Sequence, residues 1–297
     1  MQAMILAAGF GTRLLPYTEK KPKPLFPLLN TPLLQITIEK LIQAGFDHIV
    51  VNTHHLRKQF REITAPYANV FLQEEEEILG TGGGLRQALA NLRDEPLLII
   101  NGDVYHNIDL AALYRYHTSG EHKITLAVHD YPRFNSLEIC DNKLLGFNGR
   151  GKKGALAFTG IHVVNPEILE PIPLGTKSCI IERYASCVTA GDIISLSRTD
   201  DFFWTDIGTP EDYLDLHADI LQGKIHSRSL LEAVADCYNR YKIISEKAIV
   251  GNNLKINDWA CIGDAYLGNN VTISRSVIWD GAEIPSNTHV MNSIITQ

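Results

Sequence analysis

The sequence predicts an α/β fold with a mostly parallel central sheet, followed by a short parallel β-solenoid at the C-terminus. Three observations carry this expectation. Through the first hundred residues short apolar runs alternate with helical patterns, as in successive βαβ units. Those runs are continuously apolar, as expected for strands covered on both faces. From about Ser245 the pattern changes, and apolar residues recur every five or six positions.

The elements follow in order. Ala3–Ala7 (AMILA) reads as a buried strand, and a Gly- and Pro-rich loop runs from it to Pro27. Thr31-Pro32 reads as a cap and first-turn proline for a helix in which Leu34, Ile38, Leu41 and Ile42 share a face, and Gly45 stops it. His48–Asn52 is the next strand, then a polar helix near Leu56–Ile63, a strand near Val70–Gln73, a helix over Thr81–Leu92 and a strand at Leu97–Ile100. Strand-like runs dominate from Lys123 to Val164. A helix near Ile180–Ala190 and a strand at Ile193–Ser197 come after them. Thr209-Pro210-Glu211-Asp212 starts a last helix, with a cap, a proline and acids near the positive end of its dipole. In the tail, Val250, Ile256, Ile262, Leu267, Ile273, Ile278, Ile284 and Val290 are separated by Gly, Asn and Asp. This near-six period fits one apolar residue per flat face of a parallel coil. The expected boundaries are a main α/β domain over 1–222, a connector over 223–244 and the tail over 245–297.

Composition bounds the partners. The 297 residues are 45% hydrophobic and 21% charged, which excludes a disordered chain. A formal net charge of -7 gives no bulk attraction for nucleic acid, so an anionic ligand would need a local positive cluster. The five cysteines are scattered without a CxxC pair, which suggests neither a disulfide framework nor a zinc site. The N-terminus lacks the layout of a secretory signal, and no apolar stretch approaches the ~20 residues of a membrane span. A cytoplasmic protein without membrane or nucleic-acid partners is the expectation.

The positive cluster lies in Leu6–Leu25, LAAGFGTRLLPYTEKKPKPL. Gly9-Phe10-Gly11 allows backbone N–H groups to approach a phosphate closely. Arg13 follows two residues later, and Lys23 is stiffened between Pro22 and Pro24. A guanidinium and an ammonium beside a glycine turn suit a polyphosphate. The segment is neither a Walker A loop, having no Gly-Lys-Ser/Thr, nor a dinucleotide fingerprint, because Leu14 stands where the third glycine belongs.

This stretch resembles, nearly position for position, the signature LAAGxGTRLxPxTxxxPKPL of the sugar-1-phosphate nucleotidyltransferases, also called nucleoside-diphosphate-sugar pyrophosphorylases. The resemblance implies a Rossmann-like α/β/α sandwich and makes the tail look like the left-handed β-helix that many members carry. It implies an NDP-sugar and pyrophosphate made from an NTP and a sugar-1-phosphate. Arg13 and Lys23 become the expected catalytic residues. Leu6, Ala7, Ala8, Gly9, Gly11, Thr12, Gln73, Gly80, Thr81 and Gly82 join them in holding the nucleotide, the last three from LGTGGGL (Leu79–Leu85). Gly83, Asn101, Glu138 and Gly160 are expected at the sugar-phosphate. Asp103 (in Asn101-Gly102-Asp103-Val104) and Asp206 (in WTDIGT) are expected to hold Mg²⁺.

The match departs from the family in two places. Its EKP lysine has no counterpart in Phe147–Lys153, where Arg150, Lys152 or Lys153 either substitutes or forms an exposed hairpin tip. Phe158-Thr159-Gly160-Ile161 replaces a more usual Asn-Ala-Gly. The GTGGG and FTGI segments look most like N-acetylmuramate-1-phosphate uridylyltransferases, and the tail more like mannose-1-phosphate guanylyltransferases, leaving UTP or GTP open. Gln73 and the acidic run Glu74–Glu77 either edge the base pocket or form a solvated turn. His54-His55 reads as a surface pair near a helix start, since adjacent residues do not share a helix face. The tail raises the expectation of a homo-oligomer assembled through it. A catalytically inactive regulatory subunit that binds nucleotide sugars is the alternative, although such a protein should have lost Arg13, Lys23 or the aspartates.

Overall fold

The computed structural model describes residues 1–141, 143–225 and 241–297. They form two compact units: Met1–Phe10, Pro22–Pro24 and Thr37–Thr205 make the first, and Gly11–Lys21, Leu25–Ile36 and Asp206–Gln297 the second. Most of the expected connector, 226–240, lies outside the described residues, and Cys237 with it.

The first unit is built on a seven-stranded sheet of β1 (Gln2–Leu6), β2 (His48–Thr53), β3 (Val70–Glu74), β4 (Leu97–Asn101), β5 (Ile124–His129), β6 (Ala157–Val164) and β7 (Ser195–Arg198), in the order β7-β5-β6-β4-β1-β2-β3. All neighbours are parallel except β6, which runs antiparallel to both β4 and β5. Ala3, Met4 and Ile5 of β1 and all four residues 97–100 of β4 are fully buried. Both faces are covered, which is why these strands are apolar without alternation. The crossovers are α1 (Leu33–Gln43), α2 (Arg57–Thr64), α3 (Gly80–Ala88), α4 (Leu110–Ser119) and α5 (Ile180–Ala190). Asp109 caps α4, accepting from Ala112 N–H at 2.8 Å, and Gly191 closes α5 with a φ of 89°.

The start of α1 differs from the sequence reading. Thr31–Pro32 is the second arm of a hairpin whose first arm is Pro27–Leu28, and the helix begins at Leu33. Leu29 and Asn30, with φ of 50° and 65°, make the two-residue turn, which has the left-handed conformation that a tight hairpin requires. The capping pattern was present, but a turn just upstream used it.

In the second unit, α6 (Pro210–Leu221) starts as expected, with Thr209 Oγ1 accepting from Asp212 N–H at 3.2 Å. The tail is a parallel β-helix in which every strand pairing is parallel. Ile249–Val250, Tyr266–Leu267 and Glu283–Ile284 stack as one face. Lys255–Ile262 and Thr272–Ile278 each bend part-way, at Asp258 and Arg275, whose φ values are 69° and 49°. Each long strand therefore supplies the other two faces. Asn253, Asn270 and Asn287 occupy a second left-handed corner and form a side-chain ladder, each Nδ2 donating to the Oδ1 of the asparagine 17 residues on, at 3.0 and 3.1 Å. The irregular five- and six-residue spacing in the sequence is this 17-residue coil cut into three faces. Leu267, Ile273, Ile278 and Ile284 fill the coil. Val250, at the outer edge of its face, is 39% exposed. No helix among the described residues is long and apolar enough to cross a membrane.

Candidate active site

In the first unit, residues at or next to the carboxyl ends of four central strands stand on one rung. Asn101, Leu6, Asn52 and Gln73 are register partners across β4, β1, β2 and β3. In an open α/β sheet this carboxyl edge is where ligands bind. Gly160, in β6, has a φ of 75°, and a Cβ there would lie 2.4 Å from Asn101 Nδ2. Three of the expected residues, Leu6, Gln73 and Asn101, thus share a rung, and Gly160 packs on its end.

Asn52 was not among the expected site residues, yet it ties the rung to both glycine segments. Its Oδ1 accepts from Ala7 N–H at 2.7 Å, where the signature loop leaves β1. Its Nδ2 donates to Glu75 Oε1 at 2.7 Å, and Glu75 Oε2 accepts from Leu79 N–H at 3.1 Å, at the start of α3. Glu75 is 2% exposed, so this member of the acidic run is a buried brace. Glu74 pairs with Arg61 at 2.6 Å. Gln73 is also buried and donates to Gly84 O at 2.9 Å. Phe10, at the tip of the signature loop, packs edge-on against His54 at 5.4 Å, and His54 Nδ1 bonds Glu75 O at 3.0 Å.

The glycine run has a packing reason of its own. The run opens α3 (Gly80–Ala88), with Gly80 at a φ of 70° where the helix starts, and Gly82, Gly83 and Gly84 are buried. A Cβ on Gly82 would lie 2.5 Å from Ser178 Oγ, one on Gly83 2.4 Å from Thr176 O, and one on Gly84 2.8 Å from Glu75 Oε1. Thr81 Oγ1 accepts from Ile180 N–H, and Gly82 N–H donates to Ser178 O. The segment 176–180 therefore lies against the helix start and leaves no room for side chains there.

Each unit holds one ion pair between a signature base and an expected metal ligand. In the first unit, Lys23 Nζ lies 2.6 Å from Asp103 Oδ2. Lys23 is only 6% exposed, so its ammonium depends on that partner. The preceding residue, Gly102, donates to Leu6 O at 2.9 Å and packs against Pro24, which fixes Asp103 relative to the proline-held lysine. Beyond Asp103 the chain continues as Val104–His106. Lys40 Nζ donates to His106 O there and stands over the Tyr105 ring at 4.4 Å. Burial lowers the Lys40 pKa to about 8 and holds that of His106 well below its ordinary value. In the second unit, Arg13 Nη2 lies 3.8 Å from Asp206 Oδ2. Gly11, in a left-handed conformation, and Thr12 lead into the turn that carries Arg13. A Cβ on Gly208 would approach both Asp206 and Arg13 to 3.2 Å or less, so that glycine leaves space for the pair.

Glu138 stands on a separate hairpin, Glu138–Cys140 with Lys143–Gly146, and pairs with Lys152 at 2.6 Å. Of the three basic residues considered in place of the EKP lysine, Lys152 is the one drawn to an expected sugar-site residue. Among the described residues no three of His, Cys, Asp and Glu gather as a metal cage. A Mg²⁺ held by one or two carboxylates and substrate phosphate oxygens needs none, and the hard oxygens of Asp103 and Asp206 fit that ion.

Comparison with known proteins follows the same lines. Residues 2–138 match the family model described as nucleotidyl transferase. A mannose-1-phosphate guanylyltransferase of Mycobacterium tuberculosis is 26% identical over 297 residues, covering 96% of this chain and 81% of that protein. A UTP–glucose-1-phosphate uridylyltransferase of Synechocystis is 27% identical over 321 residues, covering 96% and 82%. Among solved structures, HddC from Yersinia pseudotuberculosis complexed with GMP-PN has the same fold, with a TM-score of 0.63 at 24% identity over 74% of this chain and 99% of that one.

Proposed function

Because the chain belongs to the sugar-1-phosphate nucleotidyltransferase family, we propose that it joins a purine nucleoside triphosphate, GTP, to a hexose-1-phosphate and releases pyrophosphate. The observation that carries the reading is the double pairing of Lys23 with Asp103 and Arg13 with Asp206. Each signature base is held ready by a carboxylate that an incoming polyanion and its cation would displace. Guanine is preferred because mannose-1-phosphate guanylyltransferases of Mycobacterium tuberculosis, Arabidopsis thaliana and Oryza sativa each match 96–99% of the chain. The uridylyltransferase relative, matching over a similar share of the chain, favours UTP as the second reading.

Transfer to the α-phosphorus is mostly a matter of position and electrostatics, since both reactants are anions. Mg²⁺, which the carboxylate of Asp103 or that of Asp206 could help to hold, would neutralise phosphate charge and polarise the reacting phosphoryl group. Gly9 leaves open space at the turn, so backbone N–H groups there can meet phosphate oxygens. Arg13, 63% exposed along its side chain, is free to swing from Asp206 to the departing β,γ-phosphates. Lys23 is buried and short of alternatives, which suits it to the phosphates nearest the reacting centre. A phosphate monoester with a second pKa of about 6 is already ionised near neutral pH, so attack needs no general base.

The test is a matrix of NTPs against sugar-1-phosphates with Mg²⁺, read as pyrophosphate release. Turnover with GTP and a hexose-1-phosphate is expected. Turnover confined to UTP would move the reading to the uridylyl type. No turnover with any pair would overturn it in favour of the nucleotide-sugar-binding regulatory subunit.

A further inference from the structure

We propose that Trp279, a residue of the β-helix, positions Arg13 and Asp206, so that the tail is part of the phosphate-handling apparatus. The inference rests on the function proposed above.

All of the observations lie within the second unit. Trp279 follows the strand Thr272–Ile278, is 4% exposed, and is held to the coil by its N–H donating to Ile295 O at 2.8 Å. Its ring meets two elements outside the coil. One is the segment carrying Arg13: Tyr17 lies 6.3 Å from the indole, and Lys21 Nζ stands 5.8 Å over its face. Tyr17 and Lys21 are four residues apart on a single helical turn, so the indole supports one side of that turn. The turn is tied back towards Arg13 by Thr18, which is buried and donates to Gly11 O at 3.2 Å. The other element is α6, which begins four residues after Asp206. Trp279 Nε1 donates to Tyr213 Oη at 3.2 Å, and Tyr213 in turn donates to Pro27 O. Phe26 closes the cluster, edge-on to the indole at 4.7 Å.

One side chain therefore packs against both the helical turn that follows Arg13 and the helix that follows Asp206. A guanidinium and a carboxylate 3.8 Å apart respond steeply to small shifts, because misplacement of about 1 Å at a reacting centre costs orders of magnitude in rate. Trp279 touches neither group and acts through Tyr17 and Tyr213.

Two measurements test this. Trp279→Ala and Trp279→Phe are compared with the parent for kcat and for KM towards each substrate. For folded Trp279→Ala the expectation is a KM for the NTP raised about tenfold or more, with KM for the sugar-1-phosphate within about threefold. Trp279→Phe, which keeps an aromatic ring, should recover most of the loss. Unchanged constants in folded Trp279→Ala would overturn the proposal, as would losses that fall equally on both substrates and track thermal stability. The second measurement is independent of turnover. The chain has three tryptophans, and fluorotryptophan labelling should give three ¹⁹F resonances. The Trp279 resonance is the one missing in Trp279→Phe, and saturation with Mg–GTP or Mg–UTP should move it. A resonance that stays in place while calorimetry shows nucleotide bound overturns the proposal, even if Trp279→Ala does not fold. Failure of the functional reading shows separately, as a parent protein without turnover.

Discussion

Replacing Glu75 with alanine should destabilise the first unit severely, although Glu75 lies in what looks like a solvated acidic run. The side chain is 2% exposed and accepts from Asn52 Nδ2 at 2.7 Å and Leu79 N–H at 3.1 Å. Its removal leaves two buried donors without an acceptor, each costing about 1–3 kcal/mol. Part of that is offset because a buried carboxylate no longer has to be desolvated, so the net loss should be about 3–4 kcal/mol. In a domain of this size the melting temperature should fall by roughly 10 °C in differential scanning calorimetry. Glu75→Gln should fall between parent and alanine. Its amide presents one oxygen and one NH₂ to two donors, so one contact becomes donor against donor. KM for the NTP should rise in both variants, because Ala7 and Leu79 flank the two glycine segments. A drop below about 3 °C for Glu75→Ala would refute the brace, and so would Glu75→Gln being less stable than Glu75→Ala.

Other predictions follow from the same geometry. Lys23→Ala and Asp103→Ala should each lower pyrophosphate release by at least about a hundredfold while circular dichroism stays that of the parent; near-normal release from both would sink the assignment. Gly83→Ala places a methyl group 2.4 Å from Thr176 O and 2.9 Å from Leu79 Cβ, and should cost about 1–3 kcal/mol in denaturant unfolding, whereas Gly151→Ala, at a position with open space, should lose only what its positive φ imposes. Lys40 has a folded pKa of about 8 against an ordinary 10.5. Between those values the unfolded chain holds the proton that the folded one has released, so stability should rise with pH across that window, by about 3 kcal/mol at most, and the full cost should be present below pH 8. Lys40→Met should remove this rise, and a slope unchanged in the variant would show that another group is titrating.

The parallel sheet and the order of its elements were legible because burial on both faces leaves unbroken apolar runs such as AMIL and LLII. The signature segment was legible through local spacing alone. Asn52 was not, although its signal was present: HIVVN and LLIIN both carry an asparagine after an apolar run, and the structure places Asn52 and Asn101 on the same rung. The resemblance places the glycine run at the nucleotide and sugar-phosphate. Its tightest constraint comes from Thr176 and Ser178, nearly a hundred residues away, and no local pattern reports such a contact. The helix expected from Thr31-Pro32 was misplaced for a related reason, since a cap and a hairpin arm share the same residues and only the left-handed Leu29-Asn30 turn separates them. Nothing local marks Trp279, because its partners Tyr17 and Tyr213 lie in distant parts of the chain.

The asparagine ladder has a consequence for how such a tail can change length. Corners at Asn253, Asn270 and Asn287 recur every 17 residues, and each coil advances by one strand spacing of about 4.8 Å. Growth of the coil itself is therefore quantised: an insertion other than a whole coil must loop out at a corner or rotate every later side chain off its face. A whole coil placed before Trp279 would carry the indole one step along the axis, away from Tyr17 and Tyr213. A whole coil added beyond Ile295 would leave those contacts in place.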